Sequence, residues 1–191
     1  MDRVHHRVDL PDAQDDGTMR NVEFKAELRD PALALPICLE LGAKYVGTLK
    51  QTDTYYRVAD ARLKKRETVG EPTEWIFYQR PDQLRPKLSQ FMIYSEAEAH
   101  ERFGITPLPV WLVVKKKRDL LLYGNVRIHL DAVDDLGAFV ELEAMITKAC
   151  GEDACRDAVA RIRTALAPVL GEPISCGYSD LLARAAELPA A

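Results

Sequence analysis

Residues Asn21-Val22-Glu23-Phe24-Lys25-Ala26-Glu27-Leu28 alternate without a break. Val22, Phe24, Ala26 and Leu28 leave one face while Asn21, Glu23, Lys25 and Glu27 leave the other, as successive side chains of a strand must. The stretch is therefore a strand with one apolar face and one face bearing charges of both signs. The same scheme recurs along the chain. Lys64 and Arg66 share a face, as do Tyr78 and Arg80, Lys116 and Arg118, Arg127 with His129 and Asp131, and Glu141 with Glu143. Asp53, Tyr55 and Arg57 also keep one register. For any single strand, a solvated face laced with ion pairs is the ordinary alternative. Repeated from strand to strand, the pattern favours the inside of a closed or strongly curved sheet, whose interior positions alternate along every strand.

Beyond that strand, Asp30-Pro31 reads as an N-cap and first-turn proline. Leu33, Ile37 and Leu41 give a helical stripe stopped at Gly42, and Pro36 should distort that helix. Further strands are expected at about 44–58, 61–67, 74–80, 87–94, 110–118, 121–131 and 138–147. Ser95 and Glu98 form a capping box for a helix ending near Gly104. Ala154, Val159, Ile162 and Leu166 mark a helix of about 153–169, and a short one starts near Ser179. The fold class is α+β, built on a large, mainly antiparallel sheet. Residues 1–18 are polar with no apolar period and are expected to form a flexible leader, leaving one domain over 19–191. The ordered pattern begins abruptly at Met19, which makes that residue a candidate start of translation.

The formal net charge is −4 over 191 residues, so no general nucleic-acid footprint is expected. Basic side chains that bind an anion must be gathered by the fold. No apolar run is long enough to span a bilayer and no signal-peptide pattern opens the chain, so the expectation is a cytoplasmic protein without a membrane partner. Cys38, Cys150, Cys155 and Cys176 lack a metal-ligand spacing and read as reduced thiols. His129 titrates intrinsically near neutrality, but a hydrogen-bonded structural histidine suits its strand position equally well, and it is given no catalytic role.

If the charged faces converge, the interior holds many cations and a few carboxylates. Buried cations need anionic partners. A triphosphate is one such partner, since arginine forks match its oxygens and lysines add point charges. The carboxylates would repel it unless a hard divalent ion such as Mg²⁺ or Mn²⁺ lay between.

At this point the residues resemble a known family. Asn21-Val22-Glu23-Phe24-Lys25 is similar to the ExExK strand that opens CYTH domains, the family of class IV adenylyl cyclases and thiamine triphosphatases (triphosphate tunnel metalloenzymes). The resemblance continues in order through QTDTYYRV (51–58), RLKKRE (62–67), IFYQRPD (76–82), VVKKKRDLLLYGNVRIHLD (113–131), LGAFVELE (136–143) and YSDLL (178–182). The class IV cyclase-like branch is the subgroup it resembles most.

That resemblance implies a closed or nearly closed antiparallel eight-stranded β-tunnel with peripheral helices. Carried over by position, it implies Glu23, Glu141 and Glu143 as ligands of Mg²⁺ or Mn²⁺, with Asp131 a weaker candidate. It implies Lys25, Lys64, Arg66, Arg80, Lys116, Arg118 and Arg127 on the phosphates, with Arg57, Tyr55 and Tyr78 in support. The implied activity is a metal-dependent reaction on a triphosphate, resembling conversion of ATP to cyclic AMP and pyrophosphate. Hydrolysis of an organic or inorganic triphosphate (thiamine triphosphate or tripolyphosphate) and non-catalytic nucleotide or polyphosphate binding are the alternatives. The implied partner is thus a small-molecule triphosphate, held by a monomer or homodimer. Asn21 departs from the motif, standing where ExExK has its first glutamate. Its amide can offer a carbonyl oxygen to a metal but brings no negative charge.

Overall fold

The opening strand folds as its alternation predicts, and it closes the structure. A computed structural model describes residues 18–58, 61–79, 84–104, 106 and 108–187. In chain order its elements are β1 (Met19–Leu28), α1 (Pro31–Glu40), β2 (Lys44–Tyr56), β3 (Arg62–Thr68), β4 (Glu74–Gln79) and β5 (Lys87–Tyr94). They continue with α2 (Glu96–Phe103), β6 (Val110–Tyr123), β7 (Val126–Val133), β8 (Gly137–Met145), α3 (Glu152–Leu166), β9 (Leu170–Pro173) and α4 (Tyr178–Glu187). The strands lie in the order β5-β4-β3-β2-β6-β7-β8-β1, and β1 pairs back onto β5 from Met19↔Phe91 to Glu23↔Lys87. All these pairings are antiparallel, so eight strands form a closed barrel with four helices outside it. Short β9 extends the sheet beside the Leu28 end of β1.

The charges can sit inside because the main apolar core lies outside. Val22, Phe24 and Ala26 of β1, Val126, Ile128 and Leu130 of β7, and Val140, Leu142 and Ala144 of β8 turn outward. They meet Ala34 and Cys38 of α1 and Cys155, Val159, Ile162 and Leu166 of α3. Each large apolar side chain so buried stabilises the fold by roughly 1.5–3 kcal/mol, which helps offset the cost of a charged interior. A second cluster joins Tyr55, Val114, Val133 and Phe139 to Tyr178, with Leu181 and Leu182 of α4 against it. These residues come from the strand ends at one end of the barrel, so α4 covers that end. Outside β3 and β4, Leu63 and Trp75 pack on Ala99 of α2.

Local signals place the helix ends. Asp30 caps α1 by accepting from the Leu33 N–H, and Ser95 with Glu98 forms the reciprocal capping box of α2, which ends at Gly104. Three sequence expectations change. The stripe of α1 is only partly Leu33, Ile37 and Leu41: Ile37 and Leu41 pack half-buried on the core, but Ala34 and Cys38 are the fully buried residues and Leu33 is 52% exposed. That helix is apolar almost all round, so periodicity could not choose its buried face. Strand β6 does not stop at Arg118 but continues to Tyr123, and the chain turns at Gly124-Asn125, where Gly124 takes φ 57°. The apolar Leu120-Leu121-Leu122 run hid the continuation. Finally, α3 ends at Leu166, and Ala167–Val169 forms a 3-10 turn containing Pro168. The expected leader lies outside the described residues except for Thr18. Among the described residues no helix is long and apolar enough to cross a membrane.

Candidate functional site

The inward faces of the strands enclose a cavity of about 660 Å³. Its cationic side is built on β2, β3 and β6. Cross-strand register sets Asp53 opposite Arg66, Tyr55 opposite Lys64, and Gln51 opposite Lys116. Three cations therefore converge on one carboxylate. Lys64 Nζ lies 3.2 Å and Lys116 Nζ 2.6 Å from Asp53 Oδ2, while Arg66 donates from Nε to Oδ1 at 2.8 Å and from Nη2 to Oδ2 at 3.0 Å. Burial alone would raise the Asp53 carboxyl, but Arg66, Lys116 and Lys64 hold it well below the usual carboxylate range. One carboxylate cannot neutralise three cations. Burial, and then the neighbouring positive charges, push Lys116 down to about 7 and Lys64 down to about 8, against the pull of Asp53.

The opposite wall, made by β1, β7 and β8, carries the acids. Register places Glu23 across from Glu143, Lys25 across from Glu141, and His129 across from Glu141. Glu141 accepts from Lys25 Nζ at 2.9 Å and from Arg118 Nη2 at 2.9 Å. Its carboxyl resists burial and stays well below the ordinary value because of Lys25 and Arg118, with which it pairs. The ligand atoms of His129, Glu141 and Glu143 lie within 4.8 Å of one another, a group able to hold a metal ion. His129 Nδ1 and Asn21 Oδ1 are buried without a hydrogen-bond partner. Desolvation, and then Arg118, depress His129, which keeps the imidazole neutral and available as a donor to a metal.

The structure brings Lys25, Lys64, Arg66, Lys116, Arg118 and Arg127 to this cavity, together with Glu23, Glu141 and Glu143. Tyr55 and Tyr78 line it as well. Glu23 lies outside the 4.8 Å group. Two expected residues are elsewhere. Asp131, expected as a weaker metal ligand, does not line the cavity. Arg118 holds both its oxygens, at 2.7 and 2.6 Å, and the Tyr178 hydroxyl donates to Oδ2 at 2.8 Å. Arg57, expected on phosphate, follows the end of β2 and is exposed; its backbone N–H bonds to the Pro109 carbonyl instead. Arg80 lies outside the described residues.

The expectation that an external anion must pair the buried cations is also modified, because Asp53, Asp131 and Glu141 already pair several of them. Besides His129, three buried residues in or beside the site went unassigned in the sequence. Asp53 sits one register step from the basic strands, and its parity with Tyr55 was the available signal. Tyr178 reaches the interior from α4, with Lys25 Nζ 3.9 Å from its ring centroid. Lys87 is buried opposite Glu23 and donates to the Ser175 carbonyl at 2.6 Å. The lining remote from α4 is mixed: Met19, Leu49, Phe91, Ile93 and Leu120 share it with Thr68, Glu71, Glu74, Glu98 and Arg127.

Known structures share this architecture. The PH1012 protein of Pyrococcus horikoshii OT3 superposes with a TM-score of 0.67 at 20% identity, covering 84% of this chain and 98% of its own. A proposed adenylate cyclase from Vibrio parahaemolyticus gives 0.66 at 18% identity, covering 87% and 99%. A proposed adenylyl cyclase from Hippeastrum, whose structure is described as revealing a dominant triphosphatase activity, gives 0.55 at 13% identity, covering 88% and 97%. At these identities the likeness establishes the fold. None of the curated proteins compared by sequence matches this chain. The CYTH domain pattern, however, matches residues 19–166, which run from the first residue of β1 to the last of α3. The chain belongs to the CYTH domain family.

Proposed function

We propose that this protein is a metal-dependent enzyme acting on a triphosphate held inside the barrel, in the manner of a class IV adenylyl cyclase. The observation that carries this reading is the convergence of Lys64, Arg66 and Lys116 on Asp53, across a cavity from His129, Glu141 and Glu143. A polyphosphate tail can exchange places with Asp53 as the anion those cations share, gaining charge-assisted hydrogen bonds in a site largely removed from water. The donor set fits a divalent cation, since two carboxylates and a neutral imidazole with an unpartnered nitrogen lie together. Mg²⁺ and Mn²⁺ are the candidates, and the nitrogen donor favours Mn²⁺. When bound there, the metal supplies neutralisation of phosphate charge.

With ATP in the cavity, attack of its 3′-hydroxyl on the α-phosphorus releases pyrophosphate, and the interior cations stabilise the departing charge. Leu49, Phe91, Ile93 and Leu120 give the lining apolar side chains that the organic part of the substrate can pack on. Hydrolysis is the second reading, favoured by the triphosphatase activity described for the Hippeastrum structure. In that case water attacks the terminal phosphorus of thiamine triphosphate, tripolyphosphate or a nucleotide. The free cysteines support a cytoplasmic location.

One assay separates the readings. Purified protein is incubated with ATP, thiamine triphosphate or tripolyphosphate, with Mg²⁺ or Mn²⁺, and scored for cyclic AMP, pyrophosphate and orthophosphate. Cyclic AMP with pyrophosphate supports the cyclase, and orthophosphate supports the hydrolase. Tight binding without product leaves a nucleotide- or polyphosphate-binding protein. Absence of any metal-dependent binding overturns the common premise.

A further inference from the structure

Two cysteines face each other where β8 gives way to α3, on the outside of the barrel. Gly151 is the N-cap of α3, so Cys150 immediately precedes the cap and Cys155 is the fourth helical residue. Side chains at these two positions meet and fix the angle at which the chain enters a helix, usually as an apolar pair. Here the pair is thiol on thiol, with the sulfurs 3.7 Å apart. Asn125, from the turn between β6 and β7, holds both. Its Nδ2 lies 3.2 Å from each sulfur and 2.9 Å from the Met145 carbonyl, so its two hydrogens are shared among three acceptors. The Cys150 backbone is pinned by reciprocal hydrogen bonds with Thr147 at 3.0 and 3.2 Å, and its N–H also donates to Thr147 Oγ1 at 3.1 Å.

The two thiols differ in exposure. Cys150 is half-buried and Cys155 is fully buried. An oxidant from solvent therefore reaches Cys150 first, and Cys155 stands behind it as the resolving thiol. Only a short approach, from 3.7 Å to the roughly 2.05 Å of a disulfide, separates the pair from a bond.

We propose that Cys150 and Cys155 form a redox-modification site that closes reversibly into an intramolecular disulfide on exposure to peroxide. The Cys150 thiolate attacks one oxygen of hydrogen peroxide and the O–O bond breaks, giving Cys150 sulfenic acid and hydroxide, which takes up the thiol's proton to become water. The Cys155 sulfur then attacks the Cys150 sulfur and displaces hydroxide, which takes the Cys155 proton as a second water. Two thiols are oxidised to one disulfide while one peroxide is reduced to two waters. The bond ties the turn that follows β8, the strand of Glu141 and Glu143, to the helix that packs on β1 and β8.

Trypsin cutting after Lys148 and Arg156 leaves both cysteines on one peptide, residues 149–156. The full-length reduced protein is treated with hydrogen peroxide, unfolded, alkylated with iodoacetamide, digested and weighed. The expected result is a 149–156 peptide without alkylation and two hydrogens lighter than the dithiol. Treatment with a phosphine before alkylation restores the doubly alkylated form. Cys150→Ser should abolish the bridge, and Cys155→Ser should leave a sulfenic acid on Cys150 that dimedone captures. Two alkylated cysteines at a peroxide dose that oxidises free glutathione would overturn the proposal. So would passage of Cys150 to sulfinic acid with Cys155 untouched.

Discussion

Arg118 grips Asp131 with two parallel hydrogen bonds, Nε to Oδ1 at 2.7 Å and Nη2 to Oδ2 at 2.6 Å, and both residues are buried. The same Nη2 reaches Glu141 at 2.9 Å, so Asp131 orients a guanidinium that spans from the strand wall into the cavity. Asp131→Asn should therefore act on positioning and stability. It leaves a buried cation short of a partner, at a cost of about 3 kcal/mol. Urea unfolding should show that loss, while a Mn²⁺ titration should remain close to wild type. A variant that instead loses metal binding selectively would restore Asp131 to the ligand set.

Asp53→Asn tests the exchange of anions. Removing the charge leaves Lys64, Arg66 and Lys116 buried without the carboxylate they share. The variant should melt earlier than wild type when free, and tripolyphosphate should raise its melting temperature by more than it raises wild type's. Differential scanning calorimetry with and without tripolyphosphate measures both. Lys64→Ala or Arg66→Ala should weaken triphosphate binding by about 10- to 100-fold, the value of a charge-assisted hydrogen bond.

Glu143→Gln is the cleaner probe of the metal group, because Glu141 also holds Lys25 and Arg118. The expected outcome is a higher metal concentration for half-maximal activity, with triphosphate affinity in the absence of metal little changed. Glu141→Gln should raise the metal requirement and also lower stability. Chelation with EDTA should remove turnover in wild type, and added Mn²⁺ should restore it.

Binding of triphosphate should weaken as pH rises through about 7 to 8, where Lys116 and then Lys64 lose their protons. Burial and neighbouring cations lower these two groups in the free protein. An incoming anion favours the protonated forms and raises them again. Binding therefore takes up protons, and affinity falls with increasing pH across that window. Isothermal titration in buffers of different ionisation enthalpy should show net proton uptake at pH 8. Proton release would contradict the placement of the phosphates on these lysines.

Asn21→Glu should raise metal affinity while lowering the stability of the metal-free protein. Asn21 lines the cavity at 3% exposure with its Oδ1 unpartnered, so a carboxylate there is buried until a cation joins it. Thermal melts with and without Mn²⁺ should diverge more for this variant than for wild type.

Much of the barrel was legible because period-two alternation is local. Glu23 with Lys25, Lys64 with Arg66, and Lys116 with Arg118 each declare a shared face through nearest neighbours alone. The caps at Asp30 and Ser95 are equally local, since each is a side chain bonding to backbone three residues on. The face of α1 was only partly legible, because an almost uniformly apolar helix has no periodic contrast: Ile37 and Leu41 do pack on the core, but the most buried residues are Ala34 and Cys38. Nor was the end of β6, where three leucines continue the strand past its charges.

The amino-acid sequence by itself determined that charges alternate with apolar residues on strand after strand, and its ordered motifs identified the family. Only the tertiary structure decided which of those charges meet. Asp131 and Glu141 both face inward on neighbouring strands. Yet the first is locked behind Arg118 and Tyr178, while the second lines the cavity beside His129 and Glu143. Face parity is written in spacing two residues long. Partnership depends on register between strands far apart in sequence and on a helix that arrives from the end of the chain.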